Sequence, residues 1–437
     1  MDLNLKALDK INSYERVGVA CSGGLDSSVL IDILCQNIEK SRIYLIHVNH
    51  KINSSSDEWE EFCNAKSKDY GIEFLSFRLE EIDNVTEESL RNLRYKSFST
   101  WATSKDLLCT AHHKDDNLET ILFRIFRGTG IRGLKGIPVF RSEENLNIYR
   151  PLLQYTRKDI EKYADQKNIT WIRDESNLDT KFSRNYIRNE IIPSLKIKWP
   201  SLSKSVEYLS MESEEVVELI DEVAFQDLMK CSISDNCISI NQLRSFSNHR
   251  INNIVNFWIK KITDIQVSKK FLYEAVNEIL DKNKPEISKE IFANKKRFRI
   301  EKYREDIFLF EDLSHQEKFF KRHLEWATNN SLNLPTGNLL FREVVGEGIA
   351  FNKLTKQICI SSRTQDIKCK PYGRAKSQRL KKIFQEYGVP YWKRDRLPFI
   401  YIKGKLAAVG SLWVCEEFHA SSKEKGLKPI WNDYLDT

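Results

Sequence analysis

From Arg16 to about residue 192, short apolar runs alternate with longer stretches that read as helices. The runs "RVGVA", "RIYLIHVNH", "IEFLSFRL" and "DLLCTAHH" are compact and β-rich, as buried strands are. Between them lie "SSVLIDILCQNIEK", "DEWEEFCNAKSKDYG" and a helical stretch through Arg94. Such alternation predicts β-α-β units, an α/β fold whose parallel sheet carries helices on both faces. Sheets of this kind bind ligands at the carboxyl ends of their strands, where "SGGLDSS", "HVNH" and "AHHKDD" fall. The three strand ends are expected to converge on one site.

The alternation stops at "IIPSLKIKWPSLSKS", where Pro193 and Pro200 bracket a charged, turn-prone stretch. A long helical pattern follows from about Ser203 to Met229, then "RINNIVNFWIKKI" and "FLYEAVNEILDK", and a predicted hairpin in "KKRFRIEKYREDIFLFE". After "NNSLNLPTGN" the pattern becomes strand-like "QICIS", helical "SQRLKKIFQEYG" and hairpin-like "LPFIYIKGKLAAVGSLWV". Three domains are expected: residues 1–200, a mainly helical 201–325, and a small α+β region at 326–437. No internal repeat is visible.

Composition narrows the class. The 437 residues are 41% hydrophobic and 11% aromatic with a net charge of +7, enough to bury real cores. The nine cysteines are scattered without a C-x-x-C pair and no signal peptide is evident, which favours reduced thiols over a disulfide frame or zinc site. No apolar stretch is long enough to cross a bilayer, so no membrane partner and a cytoplasmic address are expected.

Within "SGGLDSS" (Ser22 to Ser28), small residues after a strand let backbone N–H groups turn inward, and the following helix adds its positive end. Ser22, Ser27 and Ser28 add hydroxyl donors. Asp26 stands where the common nucleotide-binding loop has a lysine. A carboxylate beside polyphosphate needs a hard cation between them, so Mg²⁺ enters the expectation. A Gly-Gly turn with a Ser/Asp helix cap is the plain alternative. "GTGIRG" (Gly128 to Gly133) fits the dinucleotide fingerprint by letters, but it follows a helical pattern and not a strand, which excludes NAD binding on context. It reads instead as a flexible loop.

"HHKDDNLET" sets Asp115, Asp116 and Glu119 on adjoining faces of a helix start. The same letters also suit a helix-dipole cap or a metal site. "EESLRNLRY" spaces Arg91 and Arg94 on one helix with Tyr95 beside them. From Lys368 to Arg396 ten Lys/Arg face only two acidic residues, with Tyr372, Tyr391 and Trp392 interleaved, a pattern suited to RNA phosphates and bases.

"SGGLDSS" after a buried strand resembles the pyrophosphatase loop of the N-type ATP pyrophosphatases. "AHHKDDNLET", "FRGTGIRGLKGI", "RPLL" (Arg150 to Leu153) and "DESNLDTKFSRNYIRNEIIP" (Asp174 to Pro193) resemble, in order and spacing, the catalytic domain of the tRNA(Ile)-lysidine synthetase family. "GRAKSQRLKKIFQEYGVPYWKRDRLP" is similar to that family's last domain. The resemblance implies an adenine nucleotide α hydrolase-like fold. It implies ATP-dependent joining of free L-lysine to the wobble cytidine of the CAU-anticodon isoleucine tRNA, through an adenylated cytidine, with release of AMP and pyrophosphate.

By the same resemblance Asp26, Asp116 and Arg91 are catalytic, and Ser22, Gly23, Gly24, Leu25, Asp26, Ser27 and His47 bind ATP. Asp26 holds Mg²⁺. Asp116 and Glu119 seat the lysine ammonium, with His112 and Asp115 in support. Arg184, Arg188, Lys381, Lys382, Arg394 and Arg396 meet the tRNA. Leu90 and Val85 depart from the family pattern beside the Arg91 helix. A tRNA sulfur-transferase and a non-catalytic tRNA-binding protein are the alternatives; a homodimer is left open.

Overall fold

The computed structural model describes residues 3–51, 55–79, 87–143, 145–173, 183–284, 286–293, 296–312, 321–325, 331–355, 357–363 and 367–434. The stretch "DESNLDTKF" and Val85 lie outside them. The chain forms two compact units, Met1–Leu219 and Ile220–Thr437.

The first unit opens with helix α1 (Leu5–Asn12), then alternates β1 (Arg16–Ala20), α2 (Leu25–Asn37), β2 (Ile43–Asn49), α3 (Ser56–Tyr70), β3 (Glu73–Arg78), α4 (Glu87–Trp101) and β4 (Asp106–Cys109). After α5 (Lys114–Phe126) and α6 (Ile131–Leu134), a hairpin of β5 (Phe140–Glu143) and β6 (Leu146–Tyr149) completes a sheet of order β3-β2-β1-β4-β6-β5. All neighbours run parallel except β5 and β6. This hairpin escapes the sequence pattern because "FRSEENLNIY" is short and charged. Helices α7 (Arg157–Lys167), α8 (Ser183–Tyr186), α9 (Ile192–Lys198) and α10 (Leu202–Cys231) follow, with a π-helical turn at Ile187–Ile191.

Both faces of the sheet are covered, so β1 and β4 read as continuous apolar runs. Gly18 in β1 is required by close approach, since a Cβ there would lie 2.7 Å from the Trp101 ring and from Ile46. From β1 the chain winds to β2 and β3 on one side, then crosses to β4 on the other. A crevice therefore opens above the carboxyl ends of β1 and β4, the position where such sheets bind ligands.

In the second unit the predicted hairpin forms between Lys296–Tyr303 and Asp306–Glu311. It belongs to a five-stranded antiparallel sheet packed on helices Asn248–Thr263 and Lys269–Leu280. A separate hydrophobic cluster lies within residues 334–418, where Leu380–Glu386 packs on strands Phe399–Ile402 and Lys405–Val409.

Candidate active site

The loop after β1 is held open by its backbone. Gly23 adopts φ +81°, which glycine tolerates, and a Cβ there would meet Ile172 Cδ1 at 3.0 Å. Ser27 Oγ donates to the Gly24 carbonyl at 3.0 Å and Gly24 N–H donates to Ser22 Oγ at 3.4 Å. Helix α2 starts at Gly24 without a capping side chain, so its positive end faces the crevice with hydroxyls on either side. Leu25 is buried and anchors the helix start. His47, at the end of β2, donates from Nδ1 to the Cys21 carbonyl at 2.9 Å; it is buried, and burial pushes its pKa down. It holds Cys21, the residue before the loop.

The end of β4 brings the acidic cluster beside this loop. His113 precedes α5, and its N–H donates to Asp116 Oδ2 at 3.0 Å. Its buried ring places Nε2 3.8 Å from Asp26 Oδ1 and 3.5 Å from Asp116 Oδ2, with Nδ1 3.9 Å from Asp115 Oδ2. One imidazole thus stands between the loop carboxylate and both aspartates of the helix.

Cations close the cluster from the other side. Arg157, in the first turn of α7, donates from Nη1 to both oxygens of Asp26 at 2.8 and 2.7 Å. Asp115 accepts from the Arg157 N–H at 2.8 Å and from Lys196 Nζ at 3.1 Å. Arg188, in the π-helical turn, donates from Nε to Glu119 Oε1 at 2.6 Å and from Nη2 to Glu119 Oε2 at 2.8 Å and Asp116 Oδ1 at 2.9 Å. Arg184 lies 3.5 Å from Glu119 Oε2 and donates to Thr120 Oγ1 at 3.1 Å. Both guanidinium groups, expected from the sequence to meet the tRNA, lie against α5. No local motif announces Arg157 or Lys196, which the sequence reading misses.

The carboxylates differ in protonation preference. Burial pushes the Asp26 carboxyl up, more than His113 and Arg157 pull it down, and Asp116 adds repulsion. Burial also opposes charge on Asp116, but His113, His112, the His113 N–H and Arg188 outweigh it and hold Asp116 below the usual carboxylate range. Asp115 is likewise lowered against burial by the Arg157 N–H, Lys196 and His113.

Arginines form the outer rim. Arg91 is exposed on α4 and lies 5.0 Å over the Tyr95 ring; Arg94 approaches His50 Nε2 at 3.3 Å. Arg150 is buried and donates to the Pro138 carbonyl at 2.7 Å. Arg124 donates to the carbonyls of Gly133 and Gly136, each at 2.9 Å, and Asn117 Oδ1 accepts the Ile137 N–H at 2.6 Å. The expected flexible loop at "GTGIRG" is thus tied to α5, with a helical turn at Ile131–Leu134. Burial, then Arg150, Arg91 and Arg184, push His112 down to about 3 against the pull of Asp116, and its Nδ1 lies 2.9 Å from Thr110 Oγ1.

In the second unit Lys381 and Lys382 are exposed on helix Leu380–Glu386. Arg394 is half-buried, donating to the Val389 carbonyl at 3.0 Å and lying 5.9 Å over the Phe384 ring. Arg396 corrects the sequence expectation. It is buried, donates to both oxygens of Asp433 at 2.8 to 3.1 Å and to the Thr336 carbonyl at 3.1 Å, and so belongs to the core. Trp392 is also committed, against Phe308 at 5.4 Å and Phe310 at 5.7 Å, while Tyr391 donates to Glu301 Oε2 at 2.7 Å. Charge alternation cannot separate a solvated arginine from one paired inside.

Residues 2–195 match the PP-loop domain family and residues 358–431 the TilS substrate C-terminal domain family. The chain is 31% identical to the tRNA(Ile)-lysidine synthase of Coxiella burnetii over 98% of its length and 95% of that protein. It is 29% identical to the enzyme of the same name from Legionella pneumophila, covering 94% of this chain and 95% of that one. Among solved structures it is similar to the U34-tRNA thiolase NcsA from Methanococcus maripaludis, at 17% identity and TM-score 0.39, over 48% of this chain and 76% of that one.

Proposed function

Because the chain belongs to the tRNA(Ile)-lysidine synthase family, we propose that it joins lysine to the wobble cytidine of the CAU-anticodon isoleucine tRNA at the crevice above β1 and β4. It is an ATP-using tRNA-modifying ligase. The observation that supports this site is the single imidazole of His113 between Asp26 and Asp116, which sets an adenylating loop and an ammonium seat side by side.

The cytosine carbonyl oxygen attacks the α-phosphate of ATP and pyrophosphate leaves; the lysine ε-amine then displaces AMP from the ring carbon. An amide-like carbonyl is a poor electrophile, and adenylation turns its oxygen into a leaving group. Backbone N–H groups of Ser22, Gly23, Gly24 and Leu25, with the Ser22 and Ser27 hydroxyls, cradle the leaving phosphates. His47 keeps the loop in register. Arg91 offers its exposed guanidinium to the negative charge that develops on the phosphoryl oxygens.

In this reading Asp26 is the residue that would hold Mg²⁺. Among the described residues no three His, Cys, Asp or Glu side chains are grouped to cage a metal. A lone hard carboxylate with phosphate oxygens nonetheless suits Mg²⁺, which rarely uses an all-protein cage. When bound, it would supply charge neutralisation for the departing pyrophosphate.

Asp116 and Glu119 seat the lysine ammonium in the second step, and a nearby carboxylate accepts the proton that the amine must lose before attack. Lys381, Lys382 and Arg394 are assigned to tRNA phosphates. Functionally we divide the chain into residues 1–200 for chemistry, 201–325 as a middle region and 326–437 for tRNA. The sulfur-transferase alternative has one observation to recommend it, the 3.4 Å separation of the Cys21 and Cys63 sulfurs beside the loop. Both thiols are buried, which suits a packed pair and not a sulfur carrier.

Incubating a CAU-anticodon isoleucine tRNA with ATP, lysine and the protein, followed by mass analysis, tests the assignment. A mass gain of one lysine less one water at the wobble nucleoside is expected. An unmodified tRNA, or a gain of sulfur, would overturn it.

A further inference from the structure

The ammonium seat already contains a cation. Glu119 is 3% exposed, and its two oxygens receive Arg188 Nε and Nη2 in a fork, while Arg184 approaches the second oxygen. The Arg188 Nη2 also reaches Asp116 Oδ1. Planar guanidinium against carboxylate in two parallel bonds is the strongest common ion-pair geometry, and it saturates the acceptor. Charges balance around the whole cluster, with Asp26, Asp115, Asp116 and Glu119 matched by Arg157, Lys196, Arg188 and Arg184. Adding an ammonium to this set without removing a cation would leave a surplus positive charge in a poorly solvated place.

Of the two cations on Glu119, Arg188 is the one placed to leave. Its side chain is 39% exposed, whereas Arg184 is 27% exposed and bonded to Thr120 Oγ1. It also stands in the π-helical turn Ile187–Ile191, a local widening of the helix of the kind found where a side chain must be repositioned.

We propose that Arg188 is a tethered competitor for the amino-acid substrate: its guanidinium fills the seat formed by Asp116 and Glu119, and lysine enters by expelling it. Arg188 is thereby a specificity-determining residue. A ligand must supply a cation able to replace a forked guanidinium, which an amino acid with a neutral side chain does not do. The inference rests on the assignment of this seat to lysine, and the test separates the two.

Lysine binding is measured by calorimetry on the full-length protein, with an ATP analogue that cannot be cleaved between its α and β phosphates. Arg188→Met should tighten lysine binding about tenfold, worth about 1.4 kcal/mol. Arg188→Lys, which keeps the charge but cannot fork, should fall between the two and serves if the methionine variant does not fold. N-ethylguanidinium in solution should compete with lysine in Arg188→Met and scarcely at all in the wild type. Glu119→Gln should weaken lysine binding. If Glu119→Gln weakens binding while both Arg188 variants bind lysine no better than wild type, the competitor role is overturned and the seat stands. If Glu119→Gln leaves lysine binding unchanged, the seat itself is wrong and the proposal falls with it.

Discussion

Arg157 Nη1 lies 2.8 and 2.7 Å from the two oxygens of Asp26, across 131 residues of sequence. The loop carboxylate therefore has its own counter-cation before any nucleotide arrives. The two side chains keep 42% and 28% exposure, so solvent reaches the pair even though Asp26 is largely desolvated. Asp26 can trade Arg157 for a phosphate-bound cation at modest cost.

Asp26→Asn should lose ATP turnover by about 10² to 10³, the scale for deleting one electrostatic contributor to a transition state. tRNA affinity should be nearly unchanged. Because burial raises the Asp26 pKa, the folded protein binds this proton more readily than the unfolded chain. Its contribution to stability therefore falls as pH rises from the unfolded carboxylate value through the raised folded one. Denaturant unfolding across that range should show a shallower loss in the variant; an identical pH profile would contradict the assignment.

Arg157→Met removes a charge that pulls the Asp26 carboxyl down, so the carboxyl should rise further. If the ionised form is the active one, the acid limb of the rate profile for pyrophosphate release should move to higher pH. A limb that stays in place would mean another group controls it.

Arg396→Ala takes the guanidinium away from the buried Asp433 carboxylate. Both side chains are 4% exposed, and breaking such a pair costs about 3 to 5 kcal/mol. Thermal melting should drop by about 10 °C. A melt within about 1 °C of wild type would contradict the buried pair.

Lys381→Ala with Lys382→Ala should instead leave the melt alone, since both side chains are exposed. If each meets a phosphate, the slope of log affinity against log salt should flatten by about two units, and more tRNA should be needed for half-maximal rate. Parallel lines of equal affinity in a filter-binding titration would place the tRNA elsewhere.

The sequence by itself determines the order of strands and helices around β1, the glycine-rich loop and the acidic start of α5. Each is local: an apolar run, a turn that needs small residues, and carboxylates spaced along one helix are visible within ten or so neighbours. The loop and the acidic helix are expected to meet because both follow strands of one parallel sheet, and strand ends share an edge. Which cation serves which carboxylate was decided only by the tertiary structure. Asp26 finds Arg157 131 residues away, Glu119 finds Arg188 69 residues away, and Arg396 finds Asp433 37 residues away. A lysine or arginine carries the same letter whether it is solvated, holds a nucleic acid or is locked against a buried carboxylate. Only folding sets the distance and the desolvation that distinguish these states, which is why Arg188, read from the sequence as a tRNA contact, is found paired with Glu119 and Asp116.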